Sequence, residues 1–310
     1  MISSDPGGPD TAELALRFEE HRPYLRRLAY STLGSLSDAE DVVQEAWLRL
    51  QRQDRPDEID NLRAWLTTVT GRLALDQLGS ARARREQYVG AWLPEPQVSS
   101  WDDPADRVSQ DERVTTALLV VLESLSPAER TAFVLQDVFG MSGPEVAEVV
   151  GRTPAAVRQL ASRARKHVEQ AAPRFPATTD EQEKVVSAFS LAWRSGDLSA
   201  LLSVLDANVT LTADGGGKVP AIRRSVSGAE LIAKLLLGWY SNPAAANAWG
   251  RPVLVNGEPG LVVFDGAHPG VWAFTVDAGR IVAIDVVRNP DKLHDLPTDG
   301  ERNWFLPGSP

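Results

Sequence analysis

The sequence predicts a multi-domain chain in which two all-α segments precede an α+β domain. Three observations carry this expectation. Apolar residues recur at helical spacing from Leu14 to about Arg85, and again from Val114 to Val168. Beyond residue 180, one amphipathic helix gives way to short runs of alternating, β-branched character. Two stretches rich in Pro and turn formers separate these textures: residues 88–112, which open with "YVGAWLPEP", and "AAPRFPATTD" (171–180).

Taken in order, residues 1–12 are rich in Pro, Gly and Asp and are expected to be disordered. Ser37 with Glu40 reads as a capping box, opening a helix whose stripe is Ala39, Val42, Val43, Ala46 and Leu50. Its other face carries Asp38, Asp41, Gln44 and Glu45. A further helix is expected from about Asn61 to Leu78, with Leu62, Trp65, Leu66, Val69, Leu73 and Leu75 apolar. "VTTALLVVLESL" (114–125) is apolar enough for a core helix. Ser126-Pro127-Ala128-Glu129 and Ser142-Gly143-Pro144-Glu145 each combine an N-cap with a Pro in the first turn and a Glu at N3. Segments 208–213, 251–257, 260–266, 270–277 and 279–287 read as strands, joined by turn chemistry at "NGEPG" and "DAGR". A helix followed by such strands suggests a curved antiparallel sheet. The tail 289–310 is Pro-rich and is expected to be irregular.

Composition limits the function classes. The chain has 310 residues, no cysteine and a formal net charge of −10. Disulfides, thiolate metal sites and a Cys nucleophile are thereby excluded, and a reducing cytoplasmic setting fits. The N-terminus lacks the basic and apolar regions of a signal peptide. No apolar run approaches bilayer length, so no membrane is expected as partner. The acidity argues against a free-standing DNA binder. Positive charge is nevertheless concentrated. Arg152–Val168 holds four Arg and one Lys with no acid, and Arg63–Arg85 holds five Arg against one Asp.

Helix 143–150, a turn at Gly151-Arg152 and helix 154–169 form a helix-turn-helix pattern. On a wheel, Val157, Leu160, Ala161, Ala164 and Val168 share one side. Arg158, Gln159, Ser162, Arg163 and Lys166 lie opposite, a face suited to a major groove. The alternative is a solvated face on an ordinary helical hairpin.

"SDAEDVVQEAWLRL" (37–50), "LRAWLTTVTGRLALDQLGSARARRE" (62–86) and 125–168 resemble, in order, bacterial extracytoplasmic-function (ECF) sigma factors of the sigma-70 type. The first two resemble the σ2 domain and the third σ4. "YVGAWLPEP", "DGGGK" (214–218) and "NPDKL" (289–293) resemble motifs of the SigJ-type subgroup, which carries a fused SnoaL-like C-terminal domain of NTF2-like cone shape. One departure is Arg72-Leu73-Ala74-Leu75-Asp76, where many such factors carry an Asn before the Asp.

The resemblance implies σ2 at 13–87, a linker at 88–112, σ4 at 113–172, a short linker at 173–179, the SnoaL-like domain at 180–293 and a tail at 294–310. It implies docking of Asp41, Gln44 and Glu45 on the β′ clamp of core RNA polymerase, with the β flap as a second contact. An ordinary acidic solvated face is the alternative. Trp65, Arg72, Arg82, Arg84 and Arg85 would face the −10 promoter element, although Trp65 also suits a core position beside Leu66 and Val69. Thr153, Arg158, Gln159, Ser162, Arg163 and Lys166 would read the −35 element. The negative total then fits, because polymerase supplies most of the phosphate attraction and two weak modules gain by effective concentration.

Tyr88, Trp92 and Leu93, framed by Pro94, Glu95 and Pro96, are too apolar for a simple tether. The expectation is a docking peptide for the C-terminal domain, which would bridge σ2 and σ4 and set their spacing; Asp214, Gly215, Gly216, Gly217 and Lys218, and Asn289, Pro290, Asp291, Lys292 and Leu293, are grouped with it as interdomain or regulatory residues. Alternatively Trp92 caps the σ2 core. "ADGGGKV" fails as a phosphate loop, since Thr212 occupies the first Gly position and Val219 follows the Lys. It fits a Gly-rich bend that admits another segment closely. For chemistry, Asp206, Asp214 and Asp285 are the candidate carboxylates, with Lys218, Trp239, Trp249 and Trp272 as pocket residues. No His adjoins these acids, so no enzymatic activity, metal or cofactor is expected, and a small ligand of unknown identity is a further candidate partner. A polymerase-independent helix-turn-helix regulator, and a DNA-binding protein with an isomerase- or cyclase-like domain, remain as alternatives.

Overall fold

The computed structural model describes residues 11–100, 114–171, 173, 175, 177–239, 248–293 and 296. The disorder expected for residues 1–12 falls almost wholly outside these, as does most of the tail. The chain divides into two units, one of Met1–Arg84 with Leu122–Val168, the other of Arg85–Val121 with Glu169–Pro310.

The first unit is helical. It contains α1 (Thr11–Glu19), α2 (Arg22–Leu33), α3 (Leu36–Gln51) and most of α4 (Leu62–Glu86). Then come α6 (Pro127–Phe133), prolonged by a π turn over Val134–Val138, α7 (Gly143–Val150) and most of α8 (Pro154–Ala171). The N-cap of α3 is Ser35, whose side chain accepts from the Asp38 N–H. This corrects the expected capping box, since Ser37 already lies in the first helical turn. The α4 helix outruns its expected end at Leu78, because "SARARRE" consists mainly of good helix formers. Both later capping boxes form as read, on Ser126 with Glu129 and Ser142 with Glu145.

Two hydrophobic cores are seen among the described residues of this unit. Leu14, Phe18, Leu25, Val43, Leu50, Leu62 and Leu66 form one. The other joins Leu28 of α2 and Leu75 of α4 to Leu135, Val146, Val149, Val150 and Val157. Here α4 and α7 approach closely at Gly71, where an added Cβ would lie 2.9 Å from Val149 Cγ1.

The second unit contains most of α5 (Thr116–Leu122), α9 (Thr179–Ser195), α10 (Leu198–Val204), α11 (Ala229–Trp239) and a sheet. Its strands are β1 (Val98–Ser99), β2 (Leu205–Asp214), β3 (Val226–Ser227), β4 (Trp249–Val255), β5 (Glu258–Phe264), β6 (Pro269–Asp277) and β7 (Arg280–Val287). Among the described residues the order is β1-β4-β5-β6-β7-β2-β3. The sheet is mixed rather than wholly antiparallel, as β2 runs parallel to β7, with Thr212 opposite Asp285 and Asp214 opposite Val287. The segments following these two strands therefore emerge at the same end of the sheet. The hairpin turns Asn256-Gly257 and Ala278-Gly279 have positive φ throughout, as tight two-residue connections require.

Strand alternation sends Phe274, Ile284 and Val286 toward the helices, into a core with Phe189, Trp193 and Ile232. Val253, Val255, Val262, Val271 and Ala273 face the other way and pack with Val98 and Leu293. Both sheet faces are thus covered, which accounts for the continuous apolar runs in β5 and β7.

Burial pushes the Asp285 carboxyl from 3.8 up to about 7. It pushes Glu258 from 4.5 to about 7 as well, against the opposing effect of a hydrogen bond from Gln182. Both pKa values are raised on folding, so this contribution to stability is complete below about pH 4 and is lost as pH climbs through 7. Unfolding at pH 5 and pH 8 should differ by on the order of 2 kcal/mol or more from these groups, with the protein less stable at pH 8. Asp285→Asn should remove a large share of that slope in paired chemical denaturations, and a slope unchanged by the substitution would refute the assignment.

Candidate functional site

In the first unit, α8 follows the turn made by Gly151, whose φ of +66° ends α7. Val157, Ala161 and Ala164 are buried. Arg158, Gln159, Ser162, Arg163 and Lys166 are exposed together, as the wheel predicts. Arg163 pairs with Glu129 at 3.2 Å. Thr153 caps the helix, its hydroxyl accepting from the Ala156 N–H at 3.2 Å. On α3, Asp41 and Gln44 are exposed, while Glu45 is half-buried and paired with Arg49 at 3.2 Å.

The residues expected at the −10 element have different surroundings where the structure describes them. Trp65 is half-buried and lines, with Arg63 and Arg72, a cleft of about 510 Å³ whose far wall includes Glu145 and Glu148. Arg72 donates to the Glu148 carboxylate at 3.0 Å and to its carbonyl at 3.2 Å. Arg82 and Arg84 lie on α4, but their side chains fall outside the described residues. Arg85 belongs to the second unit, where its guanidinium sits 3.5 Å from the Trp92 ring centroid.

In the second unit the expected linker and the two C-terminal motifs meet. The parallel pairing of β2 and β7 brings "DGGGK" and "NPDKL" side by side, and Arg288 and Asn289 both donate their N–H to the Asp214 carbonyl. Asp214 is completely buried. Its Oδ1 accepts from the Tyr88 hydroxyl at 2.6 Å and the Gly216 N–H at 3.0 Å. Its Oδ2 accepts from the Leu93 N–H at 3.0 Å and Lys292 Nζ at 2.7 Å. Lys292 also donates to the Leu93 carbonyl, and Asn289 Nδ2 to the Tyr88 oxygen at 2.8 Å. Burial, then the bond to Asp214, drives the Tyr88 hydroxyl pKa far up, so it remains a donor. Lys292 Nζ lies 4.0 Å from the Trp92 centroid, a cation–π contact alongside that of Arg85.

The three glycines answer distinct demands. A Cβ on Gly215 would lie 2.5 Å from the Val219 carbonyl oxygen. Gly216, at φ +63°, faces the Asn289 amide, and Gly217, at φ +69°, faces Val89 of the linker. Lys218 reaches Asp291 in an exposed ion pair. Leu93, Pro94, Glu95 and Pro96 are buried.

A second anchor was not foreseen. Asn256 exchanges two bonds with the backbone of Gln97, its N–H donating to Gln97 O at 2.8 Å and its Oδ1 accepting from Gln97 N at 3.1 Å. Its Nδ2 donates to the Val114 carbonyl at 3.3 Å. One side chain thus grips the chain on both sides of residues 101–113. In the sequence "NG" signals only a turn, and nothing there marks the Asn256 side chain as an anchor; its burial is visible only in the structure.

The candidate catalytic acids do not converge. Asp206 accepts the Asn208 N–H, Asp214 is consumed by the linker, and Asp285 lies on the opposite sheet face from Ile284 and Val286. Trp239 and Trp272 line a cavity with Trp193, whereas Trp249 stacks on Phe264. Lys218 is not among the cavity walls. Among the described residues no group of three potential ligands could hold a metal, and no helix is long and apolar enough to cross a membrane.

A helix-turn-helix with an exposed cationic face, packed in one unit with the helices that precede it, is the arrangement in which the family comparisons find two sigma-70 regions. Sigma-70 region 2 matches residues 17–84, and Sigma-70 region 4 matches 115–168. The chain is 42% identical to the ECF RNA polymerase sigma factor SigJ of Mycobacterium tuberculosis (strain ATCC 25618 / H37Rv) over 299 residues, covering 92% of this chain and 95% of the other. It is 39% identical to the probable ECF RNA polymerase sigma factor SigI of M. tuberculosis (strain CDC 1551 / Oshkosh), covering 89% and 93%. The crystal structure of M. tuberculosis SigJ superimposes with a TM-score of 0.73 over 90% of this chain and 98% of that one. The chain belongs to the ECF RNA polymerase sigma factors, and its function is in transcription initiation.

Asp214→Asn should unsettle the linker, because an amide nitrogen would confront one pair of donors and leave a buried ammonium without its counter-charge. A cost of about 3–5 kcal/mol is expected from breaking one side of such a buried pair. Tyr88→Phe, which deletes one hydroxyl, should cost closer to about 1–2 kcal/mol. Amide exchange at Leu93 should accelerate strongly in the first variant and modestly in the second. Unaltered protection of Leu93 in Asp214→Asn would rule out the carboxylate as the anchor.

Proposed function

We propose that this protein directs core RNA polymerase, in the cytoplasm, to promoters bearing −35 and −10 elements, and that its C-terminal domain regulates it in cis. In this reading residues 13–87 act as σ2, 113–172 as σ4 and 180–293 as the SnoaL-like regulator. Asp41, Gln44 and Glu45 dock on the β′ clamp, and the β flap engages σ4. Arg158, Gln159, Ser162 and Arg163 read base edges and nearby phosphates of the −35 element, with Lys166 on the backbone. Trp65 and Arg72 act at the −10 element, where bases leave the stack.

One observation supports regulation in cis above all: the linker carries its own donors into the buried carboxylate of Asp214. A segment held this way cannot change course without first surrendering those bonds. A second supports a guarded free state. Arg72 is bonded to Glu148 and must exchange that partner to meet a phosphate. Polymerase supplies the missing affinity, so the isolated chain binds naked promoter DNA weakly, with a modest salt slope. An enzymatic reading has less support, since none of Asp206, Asp214 and Asp285 lines either pocket found among the described residues.

Run-off transcription with purified core polymerase tests the proposal. Arg158→Ala with Gln159→Ala should reduce initiation at a cognate promoter by roughly tenfold or more, at about 1–3 kcal/mol per lost base contact. Asp214→Asn should alter promoter output in the full-length protein, and truncation after Ala177 should alter it too. Failure to bind polymerase would defeat the sigma reading, whereas normal initiation by all C-terminal variants would defeat only regulation in cis.

A further inference from the structure

Asn256-Gly257 is the only Asn-Gly pair in the chain. In such a pair the glycine amide nitrogen, unshielded by a side chain, can attack the carbonyl carbon of the Asn side chain. The pair here makes a tight turn, with φ of +52° at Asn256 and +83° at Gly257. Turns normally lie open to water. Both of these residues are buried.

The burial comes from the chain that runs past the turn. Val98 pairs with Val255, and Ser99 with Leu254. Four hydrogen bonds of Asn256 reach residues 97–116. Its N–H donates to the Gln97 carbonyl at 2.8 Å, and its Oδ1 accepts from the Gln97 N–H at 3.1 Å. Oδ1 also accepts from the Thr116 hydroxyl at 3.4 Å, and Nδ2 donates to the Val114 carbonyl at 3.3 Å. The last three fix the plane of the side-chain amide. Attack by the Gly257 nitrogen requires that plane to turn, Cγ to become tetrahedral and a base to reach the departing proton. All are opposed while Gln97 and Val114 stay in place, and all become possible for whatever fraction of time the segment is open.

We propose that Asn256 is a deamidation site gated by residues 97–116. The Gly257 nitrogen loses its proton and bonds to Cγ. The Cγ–Nδ2 bond breaks, and the nitrogen leaves as ammonia after taking up a proton. Water then opens the cyclic imide at either carbonyl, giving aspartate or isoaspartate at position 256. The net change is uptake of water and loss of ammonia, with no oxidant or cofactor. The product lacks the donor that met the Val114 carbonyl, and it sets a carboxylate oxygen against that carbonyl in a site closed to water. Isoaspartate also lengthens the main chain within a two-residue turn. Release of the segment is thereby recorded as a covalent change that weakens its return. The site rests on these contacts alone and does not depend on how the linker acts in transcription.

Full-length protein incubated in mildly alkaline buffer, then digested and mapped by mass spectrometry at residue 256, tests this. The same chain unfolded in guanidinium chloride gives the ungated rate. Conversion in the folded protein should be slower than that by at least about tenfold. Gln97→Pro removes the N–H that Oδ1 accepts, and Asp214→Asn loosens the linker elsewhere. Each should raise the folded rate by at least about threefold. Circular dichroism verifies each fold, so that failure of one variant to fold leaves the other as the test. Asn256→Asp, which reproduces one product, should speed amide exchange at Gln97 by at least about fivefold. The proposal is overturned if residue 256 converts as fast in the folded protein as in guanidinium chloride, if the folded variants convert no faster than the parent chain, or if Asn256→Asp leaves exchange at Gln97 unchanged.

Discussion

A carboxylate sealed from water must find a donor for each of its lone pairs inside the protein, and in this chain Asp214 imposes that demand. Its donors come from three places in the sequence: Tyr88 and Leu93, Gly216, and Lys292. None can be withdrawn without leaving a buried charge short of partners, which makes the arrangement closer to all-or-none than a set of independent contacts. Lys292 matters twice, since it neutralises the charge and lies near the Trp92 ring. The aromatic, proline-bounded character of 88–96 follows from this. The segment presents a hydroxyl, a backbone N–H and an indole face at fixed spacing, and its prolines limit the entropy lost in doing so.

The topology that permits this lies in one pairing. Were β2 antiparallel to β7, the segments following them would leave from opposite ends of the sheet. Their parallel register makes Asp214 and Val287 neighbours, so Gly215–Lys218 and Arg288–Leu293 begin from a common edge. Arg288 occupies a pivotal place, because its backbone N–H holds the Asp214 carbonyl while its side chain forms part of the tryptophan-walled cavity.

Local features were legible in the sequence where the physics is local. The capping boxes at Ser126 and Ser142, the exposed cationic face of α8 and the tight turns at Asn256 and Ala278 each depend on residues within one helical turn or hairpin. Non-local facts were not. Nothing in residues 205–214 announces that the strand will lie parallel to 280–287. Asn256 was hidden by its own suitability for a turn, since its backbone does what any Asn-Gly hairpin does while its side chain works elsewhere. Ser35 rather than Ser37 capped α3 because two serines at adjacent candidate sites give the same pattern. Arg85 looked like part of one basic run with Arg72, yet Arg72 turns to Glu148 and Arg85 to Trp92.

The grip of Asn256 on Gln97 and Val114 has an evolutionary corollary. Gln97 and Val114 are both fastened to one hairpin tip, so a change in the number of residues between them leaves the distance between these two anchors unaltered. Closure of a longer loop costs only logarithmically more, about 0.6 kcal/mol per doubling. Insertions and deletions there can accumulate among descendants of this chain while the spacing between its anchored flanks stays constant.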